Sequence, residues 1–232
     1  MAKTESLRGF WDRVWVSIVW RYATHSLMVL ITLVTEATAA PTLYDRVIAA
    51  VPFVPIIGRY NFHLWLIAYV PIALWLFKID RKRFVEFMYV GGVLSLLRGF
   101  TIFLTALGPV NGRDINAGKP ISELLEGWLQ IVNPISALTS SAPALYLTKD
   151  LFFSGHTAST FLLWLYCRPY KRISTVALVA HIFVVATVFL SHLHYSIDVV
   201  GAWAITFSAF VLAEKWFARI DARAASKAVS ET

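Results

Sequence analysis

The sequence predicts an all-α integral membrane protein with six transmembrane helices, an N-terminal amphipathic helix and a long outer loop between helices three and four. Three observations support this fold class: the composition, six long apolar stretches, and the placement of the basic residues. Hydrophobic residues make up 58% of the 232 residues and charged residues 15%, against roughly 45–50% and about 25% in soluble proteins. A soluble fold could not bury so much apolar surface, so we expect a single membrane-embedded domain over residues 1–232.

Six stretches approach the roughly 20 apolar residues that a transmembrane helix needs. Residues 1–16, which precede the first stretch, combine Trp and Arg as an interfacial helix does, although a longer first helix explains the pattern equally well. Residues 218–232 are expected to form a cytoplasmic tail. The six stretches run approximately over residues 17–36, 62–78, 84–107, 152–168, 173–192 and 196–216.

The basic residues are divided unequally between the two sides of these spans. Of the 21 Lys and Arg residues, 15 lie at the two termini and in the second and fourth connections, and five in the first and third connections. Because cytoplasmic loops carry the excess of Lys and Arg, we expect both termini in the cytoplasm and an active site on the outer side. The net charge of +7 then indicates orientation, not nucleic-acid binding. The small size favours a bacterial inner membrane over a Golgi membrane.

Two outer connections are long. Residues 37–61 contain Pro41, Pro52 and Pro55, so they cannot form one straight helix. Residues 108–151 are rich in turn-forming residues, but within them the sequence from 121 to 132 alternates leucines with glutamates. That pattern predicts a short amphipathic helix lying at the membrane interface.

Ionisable residues inside membrane spans are costly and indicate functional sites by default. Arg98 lies in the outer half of the third span, and His156 lies at the outer start of the fourth. His194 and Asp198 are four residues apart where the sixth span begins, a spacing that places two residues on one helix face. The orientation inferred from charge uses none of these four residues, yet it places all of them near the outer leaflet. We therefore expect them to converge on one pocket that opens to the outer side.

We expect the other histidines to have structural roles. His181 and His25 fall within spans and are expected to make interhelical hydrogen bonds. His192 and His194 could form a metal-binding pair, but residues two apart on a helix point in different directions. No metal site is therefore predicted.

Two histidines, a carboxylate, an arginine and a helix N-terminus suit phosphoryl transfer without a metal. One imidazole can attack phosphorus while the other donates a proton to the leaving oxygen. Arg98 and backbone amides can neutralise the phosphate oxygens. The structural alternatives are an Arg98 that extends to the outer surface and a purely structural His194–Asp198 pair.

The order of these residues resembles the type-2 phosphatidic acid phosphatase superfamily. Arg98 is followed by Ser154-Gly155-His156-Thr157 and then by His194-Tyr195-x-x-Asp198. The branch that contains sphingomyelin synthases and related sphingolipid synthases is the most similar, over roughly residues 20–217. The segments that resemble this branch are Pro41-Thr42-Leu43-Tyr44-Asp45, Leu97-Arg98-Gly99-Phe100-Thr101, Asp150-Leu151-Phe152-Phe153-Ser154-Gly155-His156-Thr157 and His194-Tyr195-Ser196-Ile197-Asp198.

Three positions depart from the phosphatases of this superfamily. Those phosphatases usually have Lys seven residues before the first Arg and Pro directly after it, where this chain has Gly91 and Gly99. They also have Arg six residues before the second His, where this chain has Val188. These departures favour the synthase-like branch.

The resemblance implies a role for each matching residue. His194 would be the nucleophile, Asp198 would orient it, and His156 would exchange protons with the leaving and attacking oxygens. Glu126 or, as a second choice, Glu123 could supply a further carboxylate to the active site from the third connection. The residues expected to bind substrate are Arg98, Asp150, Ser154, Gly155 and Tyr195.

The implied reaction moves a phospholipid head group to a lipid hydroxyl through a phosphohistidine. Its partners would be a phospholipid donor and either a lipid acceptor (ceramide or diacylglycerol) or water, and with water the outcome is phospholipase C-type hydrolysis. No cofactor and no nucleic acid is expected. The nearest alternative is a lipid phosphate phosphatase acting on phosphatidate-like or prenyl phosphates. More remote alternatives are a lipid transporter that anchors its substrate at Arg98 and a cytochrome that binds haem through His25 and His181.

Overall fold

The computed structural model describes residues 7–133 and 147–230, and all regular secondary structure within these ranges is helical. Eight helices are described. In chain order they are α1 (Leu7–Ala37), α2 (Arg46–Ala50), α3 (Pro55–Ile79), α4 (Arg81–Thr105), α5 (Ile121–Val132), α6 (Gly155–Cys167), α7 (Lys171–Leu190) and α8 (Ser196–Ser230).

Five of the described helices, namely α1, α3, α4, α7 and α8, are long and apolar enough to cross a membrane. Large apolar side chains on them face outward: Ile67 is 71% exposed and Leu212 67% exposed. Such surfaces are stable against lipid and not against water, so the chain is an integral membrane protein, as predicted.

The predicted count of six full spans is not confirmed. The predicted fourth span, residues 152–168, corresponds to α6, which has 13 residues and begins only at Gly155. At about 1.5 Å per residue, α6 is about 20 Å long, shorter than the roughly 30 Å of a hydrocarbon core. The residues before it, 147–154, form an irregular segment that contributes to the site described below.

The outer connections largely follow the sequence analysis. Residues 37–61 contain only the short helix α2 before α3 begins at Pro55. Helix α5 has the predicted bounds, and residues 134–146 of the same loop lie outside the described residues. Helix α1 runs unbroken from Leu7, so the structure has a longer first helix and not a separate interfacial helix. Helix α8 continues to Ser230, through most of the predicted C-terminal tail.

The short helix α6 lies at the centre of the fold, where it contacts α3, α4, α7 and α8. It is surrounded on nearly all sides, and Leu162, Leu163, Tyr166 and Cys167 are each at most 1% exposed. Its first turn therefore begins inside the protein, and any group at its N-terminus is enclosed by the surrounding helices.

Helices α1 and α4 form the most extensive helix pair of the structure. Two adjacent glycines of α4 allow this close approach, because the side chains of α1 lie directly on them. A Cβ added to Gly92 would lie 2.1 Å from Nε1 of Trp20, whose indole N–H donates to the carbonyl of Tyr89 at 3.1 Å. Helix packing of this kind, with small residues at the contact, is typical of membrane proteins.

We predict that Gly92→Ala destabilises the protein, because the Trp20 ring must move and lose its hydrogen bond. Overpacking of this kind costs about 1–3 kcal/mol. Thermal unfolding in detergent should show a lower Tm for Gly92→Ala. The matched control is Gly58→Ala, whose added Cβ would have its nearest contact at an ordinary 3.6 Å. Equal Tm values for the two variants would contradict the role of Gly92.

Candidate active site

The second histidine motif lies at the start of α8. The carboxylate of Asp198 is fully buried, and its Oδ2 lies 3.2 Å from Nδ1 of His194. The same oxygen accepts the backbone N–H of Tyr195 at 3.0 Å. With Nδ1 bonded to the carboxylate, the other ring nitrogen, Nε2, is the one available for chemistry.

His194 and Asp198 form the predicted pair, but not because they share a helix face. Helix α8 begins at Ser196, so His194 precedes the helix and does not share a helix face with Asp198. A turn at the helix start, closed by the N–H of Asp198 donating to the carbonyl of Tyr195 at 3.1 Å, brings the two side chains together.

The first histidine motif lies at the start of α6. The hydroxyl of Ser154 accepts the N–H of Thr157 at 3.3 Å and so caps the helix. The backbone N–H of Ser154 donates to the carbonyl of Asp198 at 3.1 Å, which joins the two motifs directly. His156 follows in the first turn of α6, and the charges of His194, Arg98 and Asp150 all act on it. The structure therefore joins the two histidine motifs, but of the four residues predicted to converge on one pocket only Arg98 and His156 line the cavity.

Arg98 of α4 is only 6% exposed, so it does not extend to the outer surface. Its Nε donates to the carbonyl of Phe153 at 2.6 Å. Its Nη2 donates to the carbonyl of Asp150 at 3.0 Å and forms an ion pair with Oδ2 of the same residue at 2.9 Å. Gly155 leaves room for the Arg98 guanidinium, because a Cβ at this position would lie 3.0 Å from Cζ of Arg98.

The ion pair with Arg98 keeps the carboxyl group of Asp150 ionised. Burial alone would raise the pKa of the carboxyl, but the Arg98 guanidinium and the other cationic groups nearby lower the pKa below its ordinary value. The side chain expected to bind substrate is therefore also the counterion of Arg98.

A cavity of about 500 Å³ opens beside these residues. Arg98, Asp150, Gly155 and His156 line it, and the His156 ring meets the ring of Trp65 edge to face at 5.5 Å. His194 is 2% exposed and is not among the lining residues. Most of the wall is apolar and aromatic, as in sites for lipid or drug-sized ligands.

Tyr195 has a structural position. It is 1% exposed, and its hydroxyl donates to the carbonyl of Gly108 at 3.0 Å and accepts the N–H of Leu43 at 3.0 Å. Burial raises the pKa of this phenol. The side chain thus joins the first and third outer connections to the second histidine motif.

Asp45 was not among the predicted site residues, although it ends the Pro41–Asp45 segment. Its Oδ2 accepts the N–H of Ser196 at 2.5 Å, and its Oδ1 caps α2. Burial alone would raise the pKa of this carboxyl, but the hydrogen bonds, that from Ser196 foremost, lower the pKa below its ordinary value. Asp45 therefore stabilises the start of α8 next to the His194–Asp198 pair.

A buried polar cluster that the sequence analysis missed supports the segment before α6. Lys149, interpreted from sequence as an outer basic residue, is fully buried, and its Nζ contacts both carboxylate oxygens of Asp114 at 2.8 Å. Its backbone N–H donates to the buried carboxylate of Glu36 at 2.5 Å. The charges lie more than thirty residues apart in sequence, so no local pattern could indicate their pairing.

The remaining predictions have mixed outcomes. His181 makes the expected interhelical bonds, to Thr160 at 2.9 Å and to the indole N–H of Trp203 at 2.9 Å, which leaves no ring nitrogen for haem. His25 instead lines the cavity. Glu123 pairs with Lys119 at 3.0 Å on the surface, and neither Glu123 nor Glu126 lines the cavity. Within the described ranges, no three His, Cys, Asp or Glu side chains are grouped to hold a metal ion.

The three departures from the superfamily's phosphatases have structural reasons. Gly91 and Gly99 lie where α4 touches α1, and an added Cβ would lie 3.0 Å from Nε of Arg21 and 3.2 Å from Cα of Met28, respectively. Val188 is fully buried in an apolar cluster with Val184 and Val199. These positions serve helix packing and supply no cation to the site.

Comparisons with known proteins agree with the motifs. A family model described as "PAP2 superfamily C-terminal" matches residues 149–215, which include both histidine motifs. Sphingomyelin synthase-related protein 1 of Homo sapiens is 26% identical over 214 residues, which cover 85% of this chain and 49% of the relative. Phosphatidylcholine:ceramide cholinephosphotransferase 1 of Rattus norvegicus is 30% identical over 151 residues, which cover 58% of this chain and 35% of the relative.

The chain spans about half the length or less of these curated relatives. The similarity nevertheless includes the residues whose geometry is described above, from Arg98 on α4 to Asp198 on α8. The matches therefore confirm the predicted resemblance of this chain to the sphingomyelin synthase-like branch of the PAP2 superfamily.

Proposed function

We propose that this protein is a membrane phosphotransferase that moves a phospholipid head group to a lipid hydroxyl through a phosphohistidine on His194. The observation that carries the proposal is the unequal placement of the two histidines. His156 lines the cavity, whereas His194 is 2% exposed, is not among the lining residues and is held by Asp198. A displacement at phosphorus needs its attacking and leaving atoms roughly in line, on opposite sides.

In the first step, Nε2 of His194 attacks phosphorus, and an N–P bond forms as the P–O bond to diacylglycerol breaks. His156 gives a proton to the departing oxygen, so diacylglycerol leaves on the cavity side. Asp198 stabilises the positive charge that develops on the His194 ring. Arg98 and the backbone N–H groups at the start of α6 neutralise the phosphate oxygens.

In the second step, the acceptor reaches the phosphohistidine from the same side. His156, now neutral, takes the proton of the acceptor hydroxyl, and an O–P bond forms as the N–P bond breaks. A ceramide or diacylglycerol hydroxyl gives a new phospholipid or sphingolipid, and water gives a free phosphorylated head group. The apolar wall of the cavity favours a lipid acceptor.

The lipid phosphatase alternative receives less support. The chain lacks two basic residues that the superfamily's phosphatases usually have, and Gly91 and Val188 at those positions are used for packing. A phosphate monoester carries more negative charge than a diester and would need those cations more. Asp150 already balances the charge of Arg98, so this pair adds no net positive charge for a doubly charged monoester.

The proposal includes the orientation expected from the basic residues, with both termini in the cytoplasm and the catalytic residues nearer the outer face. The excess of Lys and Arg at the termini and in the second and fourth connections supports this orientation. The donor lipid would come from the outer leaflet.

We predict that His194→Ala abolishes head-group transfer and release, because no covalent intermediate can form. His156→Ala should slow the reaction by about 10²–10⁴-fold, the usual contribution of a positioned proton donor. The assay incubates the purified protein with head-group-labelled phosphatidylcholine, phosphatidylethanolamine or phosphatidylglycerol, with and without ceramide. Products are separated as lipid and water-soluble label.

The control for this assay is His63→Ala, an exposed histidine on α3, which should retain activity. Without acceptor, a base-stable label should remain on the wild-type protein and be absent from His194→Ala. Transfer that persists in His194→Ala would refute the mechanism. Release of inorganic phosphate from phosphatidate, with no reaction of any diester, would favour the phosphatase instead.

A second prediction concerns Gly155→Ala. The added Cβ would lie 3.0 Å from Cζ of Arg98, so the guanidinium must shift by a few tenths of an ångström, which strains its bonds to Asp150 and Phe153. We expect kcat/KM to fall about 10- to 100-fold, since overpacking typically costs 1–3 kcal/mol. Gly58→Ala serves as the control, and unchanged kinetics for Gly155→Ala would show that the close contact is not needed.

A further inference from the structure

A second arginine lines the cavity, deeper than the site described above. Nη1 of Arg21, on α1, donates to the carbonyl of Gly91 at 2.7 Å and to the hydroxyl of Ser95. Gly91 and Ser95 precede Arg98 on α4 by seven and three residues. At about 1.5 Å per residue, the Arg21 guanidinium therefore lies about 5–10 Å further toward the cytoplasmic side than Arg98.

Arg21 and Arg98 differ in how their charges are balanced. Arg98 is paired with Asp150, whereas in the described part of the chain no carboxylate lies within ion-pair distance of Arg21. The bonded groups of Arg21 are a carbonyl and a hydroxyl, and the phenol of Tyr69 lies beside it. A guanidinium has five N–H donors, so donors remain for a ligand in the cavity.

The placement of Arg21 depends on a glycine of α4. Gly91 lies under its side chain, where an added Cβ would be 3.0 Å from Nε. An arginine within a membrane span is costly unless it has a function, and the hydrogen bonds of Arg21 to Gly91 and Ser95 hold its guanidinium at the cavity wall.

The proposed function determines which part of the substrate reaches Arg21. The phosphate lies at the outer end, with Arg98 and His156, and the leaving diacylglycerol extends into the cavity. That part of the lipid carries no charge. Its strongest hydrogen-bond acceptors are the acyl carbonyl oxygens, which the glycerol carbons separate from phosphorus, or the amide carbonyl of a ceramide at a similar separation.

We infer that Arg21, with Ser95 and Tyr69, binds the acyl carbonyl of the lipid whose phosphate lies at Arg98, and so selects acyl-linked over alkyl-linked lipids. This inference rests on the proposed function, because it takes the cavity to hold the diacylglycerol or ceramide part of the substrate. Arg21 is a specificity-determining residue in this scheme and takes no part in proton or phosphoryl transfer.

The test compares an ester with an ether that lacks the carbonyl oxygens. Dioctanoylglycerol should raise the Tm of the purified wild-type protein more than 1,2-di-O-octylglycerol at equal concentration. In turnover, a diester donor should exceed its diether analogue in kcat/KM by about 10- to 100-fold, the usual effect of a hydrogen bond from a charged donor. Arg21→Gln should remove both differences, mainly by weakening the ester.

The matched control is Arg219→Gln, an exposed arginine on α8, which should keep both differences. Equal effects of ester and ether on the wild-type protein would overturn the inference, and this comparison needs no variant. An Arg21→Gln protein that loses activity on both donors equally, with its ester preference intact, would overturn it as well. Absence of head-group transfer together with an ester-specific Tm shift would refute the proposed function and leave the carbonyl site standing.

Discussion

The buried guanidinium of Arg98 is the constraint on which the rest of the structure depends. A cation inside a membrane protein must be paired and hydrogen-bonded, and Arg98 obtains this from Asp150 and from the carbonyls of Asp150 and Phe153. Those carbonyls are available only because residues 150–154 are not helical; in a longer α6 they would accept intrahelical N–H groups. The late start of α6 therefore provides the carbonyl groups that the buried charge of Arg98 needs. Gly155 has no side chain and so leaves room for the Arg98 guanidinium beside the start of α6.

The same break in the helix joins the two histidine motifs. The N–H of Ser154, freed from any helical bond, donates to the carbonyl of Asp198, while the Asp198 carboxylate holds His194. Irregular backbone is tolerated at this depth because it is enclosed by protein and not by lipid. Tyr195 and Asp45 then attach the outer connections to the start of α8. The proposed nucleophile is held rigidly, and the proton donor lies in the wall of the cavity.

The sequence predicted the helical membrane fold and the bounds of α5, because hydropathy is a local pattern. It also predicted the contact of His194 with Asp198, although of the four residues expected in one pocket only Arg98 and His156 line the cavity. It could not predict where α6 begins, since Leu151, Phe152 and Phe153 are apolar whether they are helical or not. Lys149 and Arg21 were counted only as basic residues that indicate orientation, for a related reason. Their partners are distant in sequence, Asp114 for Lys149 and Gly91 with Ser95 for Arg21, so no spacing indicates the contact.

The position of the cavity also bears on how transfer could prevail over hydrolysis. In the proposed mechanism diacylglycerol leaves into the cavity that His156 lines, so the acceptor would enter where the leaving group was. While a neutral lipid occupies that volume, it excludes water from the phosphohistidine, and an exchange of one lipid for another through the apolar opening preserves this exclusion. A subsite that binds acyl carbonyls would prolong the occupancy of the cavity by lipid. Selectivity for lipid acceptors would then arise from the cavity wall, with no change in the catalytic residues themselves.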